Sequence, residues 1–377
     1  MDTKTAAADE LSRKGSEAST RSVLVGLDGF VDVIINPVDQ RFGPGDDFRP
    51  IPEIADFAKR IQAAAGKSTN IEMGKRLEKL GGNGPILANA ILEAGFPTRY
   101  VGALGDPVVH PVFEEFARRT EAVSLADPGV THALEFRDGK LLFGLMDSLE
   151  QVTYPRILDK MGEGAFFDLV SRTDLFAIVN WTMLPYLTNI LQALVDRVFP
   201  NLGPRENRTF FFDLADPEKR SDDDLRSMLH LLHRFSAFGS TTLGLNLKEA
   251  QHVSRVLGTT PGETGEEELT GMARDIRAAL RLDCVVVHPT DCAACATKDE
   301  TFHTPGFFTP EPKITTGAGD HFNAGFAVSR LLGLSPLSAL VVGCAFSGHY
   351  VRTAESPSLG AAGAFLRNTD FATSPVR

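Results

Sequence analysis

Between Asp174 and His288 short apolar runs alternate with longer stretches of helical spacing, and this alternation constrains the fold more than any other feature. Asp174 to Asn180, Arg208 to Leu214, Thr241 to Asn246 and Cys284 to His288 have the length and apolar content of buried strands. Leu184 to Phe199, Ser221 to Phe235, Lys248 to Leu257 and Glu267 to Leu280 carry helical patterns between or beside them. Such a series predicts a parallel sheet covered by helices on both faces, with binding residues gathered at the carboxyl ends of the strands. Asn180 with Trp181, Asp213, Asn246 and His288 all stand at such ends.

The N-terminal half adds a strand at Ser22–Leu27, which leads into Asp28-Gly29-Phe30-Val31-Asp32. On a continuing strand Asp28 and Asp32 share a face, and two carboxylates there could take hydrogen bonds from sugar hydroxyls. A turn acid beside a solvated acid explains the same residues. Residues 36–53 read as a loop or lid edge, and Ile54 to Leu80 shows helical spacing broken around Gly66. Gly81-Gly82-Asn83-Gly84-Pro85 precedes a helix at Ile86–Ala94, and Thr98–Leu104 is a further strand. Arg137-Asp138-Gly139 between alternating runs at Thr131–Phe136 and Lys140–Met146 predicts a hairpin. Residues 1–20, polar and aperiodic, read as a disordered tail, and the chain past Leu366 as a frayed one.

Chemistry concentrates in Thr315-Thr316-Gly317-Ala318-Gly319-Asp320, ahead of an apolar helical pattern that runs to about Leu332. Small residues let backbone approach a ligand, and the helix aims free N–H groups and its positive dipole end at whatever binds there. Asp320 beside that anion site is placed to take a proton, a combination suited to phosphoryl transfer to an alcohol. An ordinary helix start capped by Asp has the same geometry. Asn246 and Glu249 could likewise face one hydrated Mg²⁺ or form a capping box; spacing does not separate the two.

A formal net charge of −11 argues against nucleic acid or an anionic membrane as partner. No apolar run approaches the length of a membrane span, and no hydrophobic signal core opens the chain, so a cytoplasmic location is expected. Cys292 and Cys295 form a C-x-x-C, but no second pair completes a zinc set, and buried thiols are the expectation for all four cysteines.

The run Thr315, Gly317, Ala318, Gly319, Asp320, Phe322, Gly325 resembles the C-terminal signature of the ribokinase-like (PfkB) carbohydrate kinases, with Ile314 in place of the leading acid. Gly81-Gly82 with its helix ending at Gly95, and Asn246-Leu247-Lys248-Glu249, match two further family motifs. The resemblance implies a ribokinase-like three-layer α/β fold with a central mostly parallel sheet and a small β lid. One kinase domain would cover residues 21–369, with lid segments near 30–50 and 130–146 and tails at 1–20 and 370–377. It implies ATP-dependent phosphorylation of a sugar-like substrate, with Asp320 as base and Gly317, Ala318 and Gly319 as anion hole. Asp32, Gly82 and Asn83 would hold the substrate, joined by Asp28, an acid extra to the family pattern, and by Asn180. Asn246, Thr316, Gly317, Gly319, His288 and Thr290 would face the nucleotide, and Asn246 with Glu249 would hold Mg²⁺ through water. His288 and Thr290 stand where the family carries Thr and glycines, so His288 reads first as a core histidine. The helix Leu337–Arg352 and its preceding loop would hold the adenine, and the lid could pair two copies. A nucleoside or vitamin kinase of the same fold shares these motifs, with Phe30 and Trp181 available to clamp a base. A silent sugar- or nucleotide-binding regulator is a third possibility.

Overall fold

The computed structural model describes residues 2–202 and 207–372. Its strands, in chain order, are β1 (Val23–Leu27), β2 (Phe30–Arg41), β3 (Phe48–Pro50), β4 (Met73–Gly81), β5 (Thr98–Gly102), β6 (Val123–Ser124) and β7 (Gly129–Phe136). There follow β8 (Gly139–Leu145), β9 (Leu175–Ile178), β10 (Thr209–Asp213), β11 (Ser240–Leu245), β12 (Cys284–Val287), β13 (Cys292–Thr297) and β14 (Thr301–Pro305). Nine of them form one sheet in the order β14-β13-β12-β11-β10-β9-β1-β5-β6. From β12 to β6 every pairing is parallel, and β13 and β14 add an antiparallel edge.

The side-chain period of two divides this sheet between two cores. In β10 Phe210 and Phe212 enter one core and Phe211 the other; in β12 Val285 and Val287 oppose Cys284 and Val286. Helices cover both faces, which gives the three layers expected. Gly325, the last glycine of the sequence signature, lets the helix Ala318–Leu331 press on Pro336–Thr353, because a Cβ there would lie 2.7 Å from the Phe346 ring. All four cysteines are free and buried.

The smaller sheet has β2 as its spine, parallel to β7 and antiparallel to β4 and β3, with β8 completing a hairpin at Phe136 and Gly139. Of the loop or lid edge expected at 36–53 the structure has the sheet edge, at β3, and the helical reading of Ile54–Leu80 fails in its second half. The stretch 36–53 is not a loop, since β2 runs to Arg41 and β3 follows; and Ile54–Leu80 is a helix only to Ala63, after which β4 is a strand. Most of β4 is exposed, so no buried face imposes a period on its sequence. The segment beyond Met146 holds two helices, Tyr154–Met161 and Glu163–Arg172, hinged at Gly162.

The disordered N-terminal tail is a further correction. Thr3–Lys14 is a helix that buries Ala7, Ala8 and Leu11 against Pro336–Thr353 and Leu359–Asn368. Its rim is polar: Lys4 Nζ meets Asp370 Oδ1 at 2.6 Å, Asp9 takes Arg367 at 2.9 Å, and Glu10 Oε1 accepts from Ser335 N at 3.1 Å. At the other end the chain past Leu366 is ordered through Phe371, whose ring stacks on Phe307 at 4.9 Å. Met1 and residues 373–377 of the expected tails lie outside the described residues. Among the described residues no helix is long and apolar enough to cross a membrane.

Candidate active site

The glycine loop ends at Gly317, whose φ of +88° turns the chain into the helix Ala318–Leu331. The N–H of Ala318 donates to Thr315 O at 3.2 Å and closes that turn, whereas those of Gly317 and Gly319 have no partner among the described residues. Of the three donors assigned to an anion, two therefore remain available. Asp320 lies in the first turn of the helix, 7% exposed, and its Oδ1 accepts from Asn83 Nδ2 at 2.9 Å. Burial pushes its pKa up from 3.8 to about 7, opposed by the Asn83 hydrogen bond and reinforced by the charges of Asp28 and Glu249.

Asn83 owes its position to Asp28. The helix Asn83–Glu93 begins with unpaired N–H groups, and the Asp28 carboxylate accepts two of them, Asn83 N at 3.0 Å and Gly84 N at 2.8 Å. Asn180, held at φ +60° after β9, donates its Nδ2 to Asp28 Oδ2 at 2.6 Å, and Tyr100 O–H donates to the Asp28 carbonyl at 2.6 Å. Asp28 is 0% exposed, and burial raises its pKa to about 6. Asp28 and Asn180, both expected to touch substrate, are buried: the Asp28 carboxylate anchors the Gly82–Gly84 turn, and Asn180 Nδ2 holds that carboxylate while Asn180 Oδ1 has no partner among the described residues. Gly84 is part of the same device, since a Cβ there would overlap Asp28 Oδ1 and the Tyr100 hydroxyl.

Asp32 remains half-buried on β2, with Lys79 and Thr131 as its cross-strand neighbours. A Cβ on Gly81 would sit 2.5 Å from its carboxyl, so this acid stands directly beside the turn that carries Gly82 and Asn83. Burial raises its pKa, and Lys79, a Thr131 hydrogen bond and Lys140 oppose the rise.

A cavity of about 640 Å³ opens in front of the glycine loop and brings together Asn83, Asn246, Glu249, His288, Thr290 and Gly317 to Asp320. Thr316 does not line it; its carbonyl accepts from Tyr350 O–H at 3.1 Å and its side chain is exposed. Asn246 and Glu249 form a full capping box, with Glu249 N to Asn246 Oδ1 at 3.0 Å and Asn246 N to Glu249 Oε2 at 2.9 Å. Glu249 Oε1 accepts from Asp216 N at 2.9 Å, so both of its oxygens already hold a backbone donor while the pair faces the cavity. His288 stacks on Phe322 at 4.5 Å, and burial lowers its pKa to about 4, which keeps it neutral.

Sequence reasoning noted Asp213 only as a strand end. It is 7% exposed, lines the cavity and accepts from Asn323 Nδ2 at 3.0 Å. Burial, then the charges of Glu249 and Asp320, hold its carboxyl well above the usual range. The far wall is apolar, with Phe307, Phe308 and Pro310 facing Cys344 and Val351 of Pro336–Thr353. No motif marked the Phe307–Pro310 segment. Trp181, offered as a base clamp, is 0% exposed and covered by the Arg220 guanidinium at 4.2 Å, and is therefore unavailable.

Comparison with known proteins places these features in company. Residues 1–369 match the profile of the prokaryotic ketohexokinases. A ketohexokinase of Haloferax volcanii is 30% identical over 344 residues, 89% of this chain and 88% of that one. Among solved structures, a ribokinase of Arabidopsis thaliana complexed with ribose and ATP superposes with a TM-score of 0.63 at 16% identity, covering 93% of this chain and 99% of that one. A nucleoside kinase of Methanocaldococcus jannaschii superposes with a TM-score of 0.60 at 14% identity, covering 93% and 99%.

Proposed function

We propose that this chain, which belongs to the prokaryotic ketohexokinase family and is an ATP-dependent sugar kinase, phosphorylates a ketohexose with Asp320 as its base. The observation that carries the chemistry is a buried carboxylate, poised near neutrality, at the helix end that also presents the glycine-loop N–H groups. A hydroxyl of the sugar gives its proton to Asp320 as its oxygen attacks the γ-phosphorus of ATP, and the bond from that phosphorus to the ADP oxygen breaks. A base with a pKa near the working pH balances ionised fraction against proton affinity. Gly317 and Gly319 N–H, with the helix dipole, take the charge that develops on the phosphoryl oxygens. The sugar sits between β2 and the Gly82–Asn83 turn, where Asp32 accepts its hydroxyls and Asn83 fixes the base.

Asp213, Glu249 and Asp320 repel one another across the cavity, which fits a divalent cation. Among the described residues no three acidic, His or Cys side chains form a metal site on their own, as suits Mg²⁺ held by waters and the nucleotide phosphates. Asn246 and Glu249 would reach it through water, since the capping box uses their direct contacts. Bound Mg²⁺ would neutralise phosphate charge. The apolar wall of Phe307, Phe308 and Val351 takes the adenine.

The smaller sheet serves as the lid. Its edge strand β8 exposes Leu142 (67%), Phe143 (51%) and Leu145 (59%) on both faces, and such an edge suits pairing with a second copy. Sedimentation should show a dimer that Leu142→Glu dissociates; a monomeric parent chain rejects the pairing. For the acceptor, ADP release with D-fructose should exceed that with D-glucose, D-ribose or adenosine. A preference for adenosine or ribose overturns the ketohexose assignment.

A further inference from the structure

The residue after the base has no part in the chemistry above, yet it is 1% exposed and fully engaged. His321 Nδ1 lies 2.7 Å from Gly317 O, a carbonyl that also accepts His321 N at 3.0 Å. Only a protonated Nδ1 can make that contact, so Nδ1–H is the donor. Nε2 is then the acceptor, and Ser356 Oγ meets it at 2.8 Å, while Asn89 Nδ2 points to the same Oγ at 3.4 Å. Every proton in this chain has one direction: Asn89 to Ser356, Ser356 to His321, His321 to Gly317. The imidazole lies flat on Tyr350, with ring centroids 3.6 Å apart and 13° between planes. Tyr350 in turn gives its hydroxyl proton to Thr316 O at 3.1 Å.

Two consecutive carbonyls of the glycine loop, Thr316 and Gly317, are thus gripped from behind by two stacked rings. A peptide carbonyl and the following N–H point in opposite directions, so holding the Thr316 carbonyl sets the plane of the free Gly317 N–H, and holding the Gly317 carbonyl sets the plane whose Ala318 N–H closes the turn on Thr315 ahead of Gly319. Gly317 also lacks freedom on its other side, because a Cβ there would lie 3.1 Å from Ile86 and 3.3 Å from the Tyr350 hydroxyl. Anion stabilisation depends on donors fixed before charge appears, and a left-handed glycine without a brace can reorient.

We propose that His321 and Tyr350 are positioning residues that aim the anion-binding loop, with Asn89 and Ser356 fixing the imidazole tautomer. This rests on the loop's assignment as the anion hole. Neither ring lines the cavity; both act through Thr316 and Gly317. The grip matters most when charge builds on the phosphoryl group, so its loss falls on kcat more than on either KM.

Three substitutions test this by separating donation from packing. His321→Phe keeps a ring on Tyr350 and loses the donor; His321→Asn places an amide N–H where Nδ1 stood and loses the ring. Tyr350→Phe keeps the stack and deletes one hydroxyl. His321→Phe should lower kcat about tenfold or more, with both KM values within about threefold of the parent. His321→Asn should recover most of that loss, and Tyr350→Phe should show a smaller drop in kcat. A His321→Phe variant with parental kcat, or a His321→Asn variant as slow as the Phe variant, overturns the proposal. Asp320→Asn, assayed in parallel, separates the two readings: if it is inactive while His321→Phe is fully active, the brace alone fails. If Asp320→Asn is active while His321→Phe is slow, the base assignment fails and the brace stands.

Discussion

Asp320→Asn should make the protein inactive and more stable at the same time. The substitution keeps the side chain's size and leaves an oxygen to accept from Asn83 Nδ2. It removes the proton acceptor, and loss of a general base costs about 10²–10⁴ in turnover. The stability effect follows from the pKa, which burial raises from 3.8 to about 7. Between those values the folded protein holds a proton that the unfolded chain releases, so parental stability falls as pH rises from near 4 and levels above 7. At about 1.4 kcal/mol per pH unit the ionised carboxylate costs up to about 4 kcal/mol above pH 7. Asparagine never ionises. The variant should therefore exceed the parent in stability at pH 8 by up to about 4 kcal/mol, the gap closing towards pH 4. Urea denaturation of both proteins at several pH values reads this gap, and a coupled assay for ADP release reads turnover. Parental kcat/KM for the sugar should rise about tenfold from pH 6 to pH 8 and then flatten. A variant within about tenfold of parental turnover would refute the base. A variant no more stable than the parent at pH 8 would refute the desolvation that sets its pKa.

Gly84→Ala should destabilise the protein by about 1–3 kcal/mol and slow turnover, because its methyl meets a carboxylate and a phenol that hold the Asn83 turn; denaturation and steady-state rates measure both. Leu11→Ala should cost about 2–5 kcal/mol in urea unfolding with kinetics unchanged, since its side chain is 2% exposed and remote from the cavity. Glu249→Gln should raise the Mg²⁺ concentration needed for half-maximal turnover, as one carboxylate oxygen becomes an N–H donor facing backbone N–H; an unshifted titration would remove Glu249 from the metal's surroundings.

Much of the large sheet could be read from the chain because β9 to β12 are buried on both faces and separated by amphipathic helices, which leaves a plain pattern. The smaller sheet was legible at the Arg137-Asp138-Gly139 hairpin and not at β4, whose residues are mostly exposed. At the site, the Gly317–Asp320 string and the Asn246–Glu249 pair stood out by their resemblance to family motifs, since spacing alone fits a capped helix start and a capping box equally well. Asp28 did not, because a carboxylate near a strand end looks the same whether it faces a ligand or caps a distant helix. Only the fold brings Gly84 N to its oxygen. The helix Thr3–Lys14 escaped notice because its buried stripe is one lysine, two alanines and one leucine, hardly distinct from a polar tail.

That helix has a consequence for how the protein is made. Thr3–Lys14 is made well before the surfaces that receive Ala7, Ala8 and Leu11, which belong to Pro336–Thr353 and Leu359–Asn368. Twelve residues alone in water make at best a marginal helix. The segment therefore gains the partners that cover its apolar stripe only once those two helices have been made. Its docking joins segments that lie far apart in sequence.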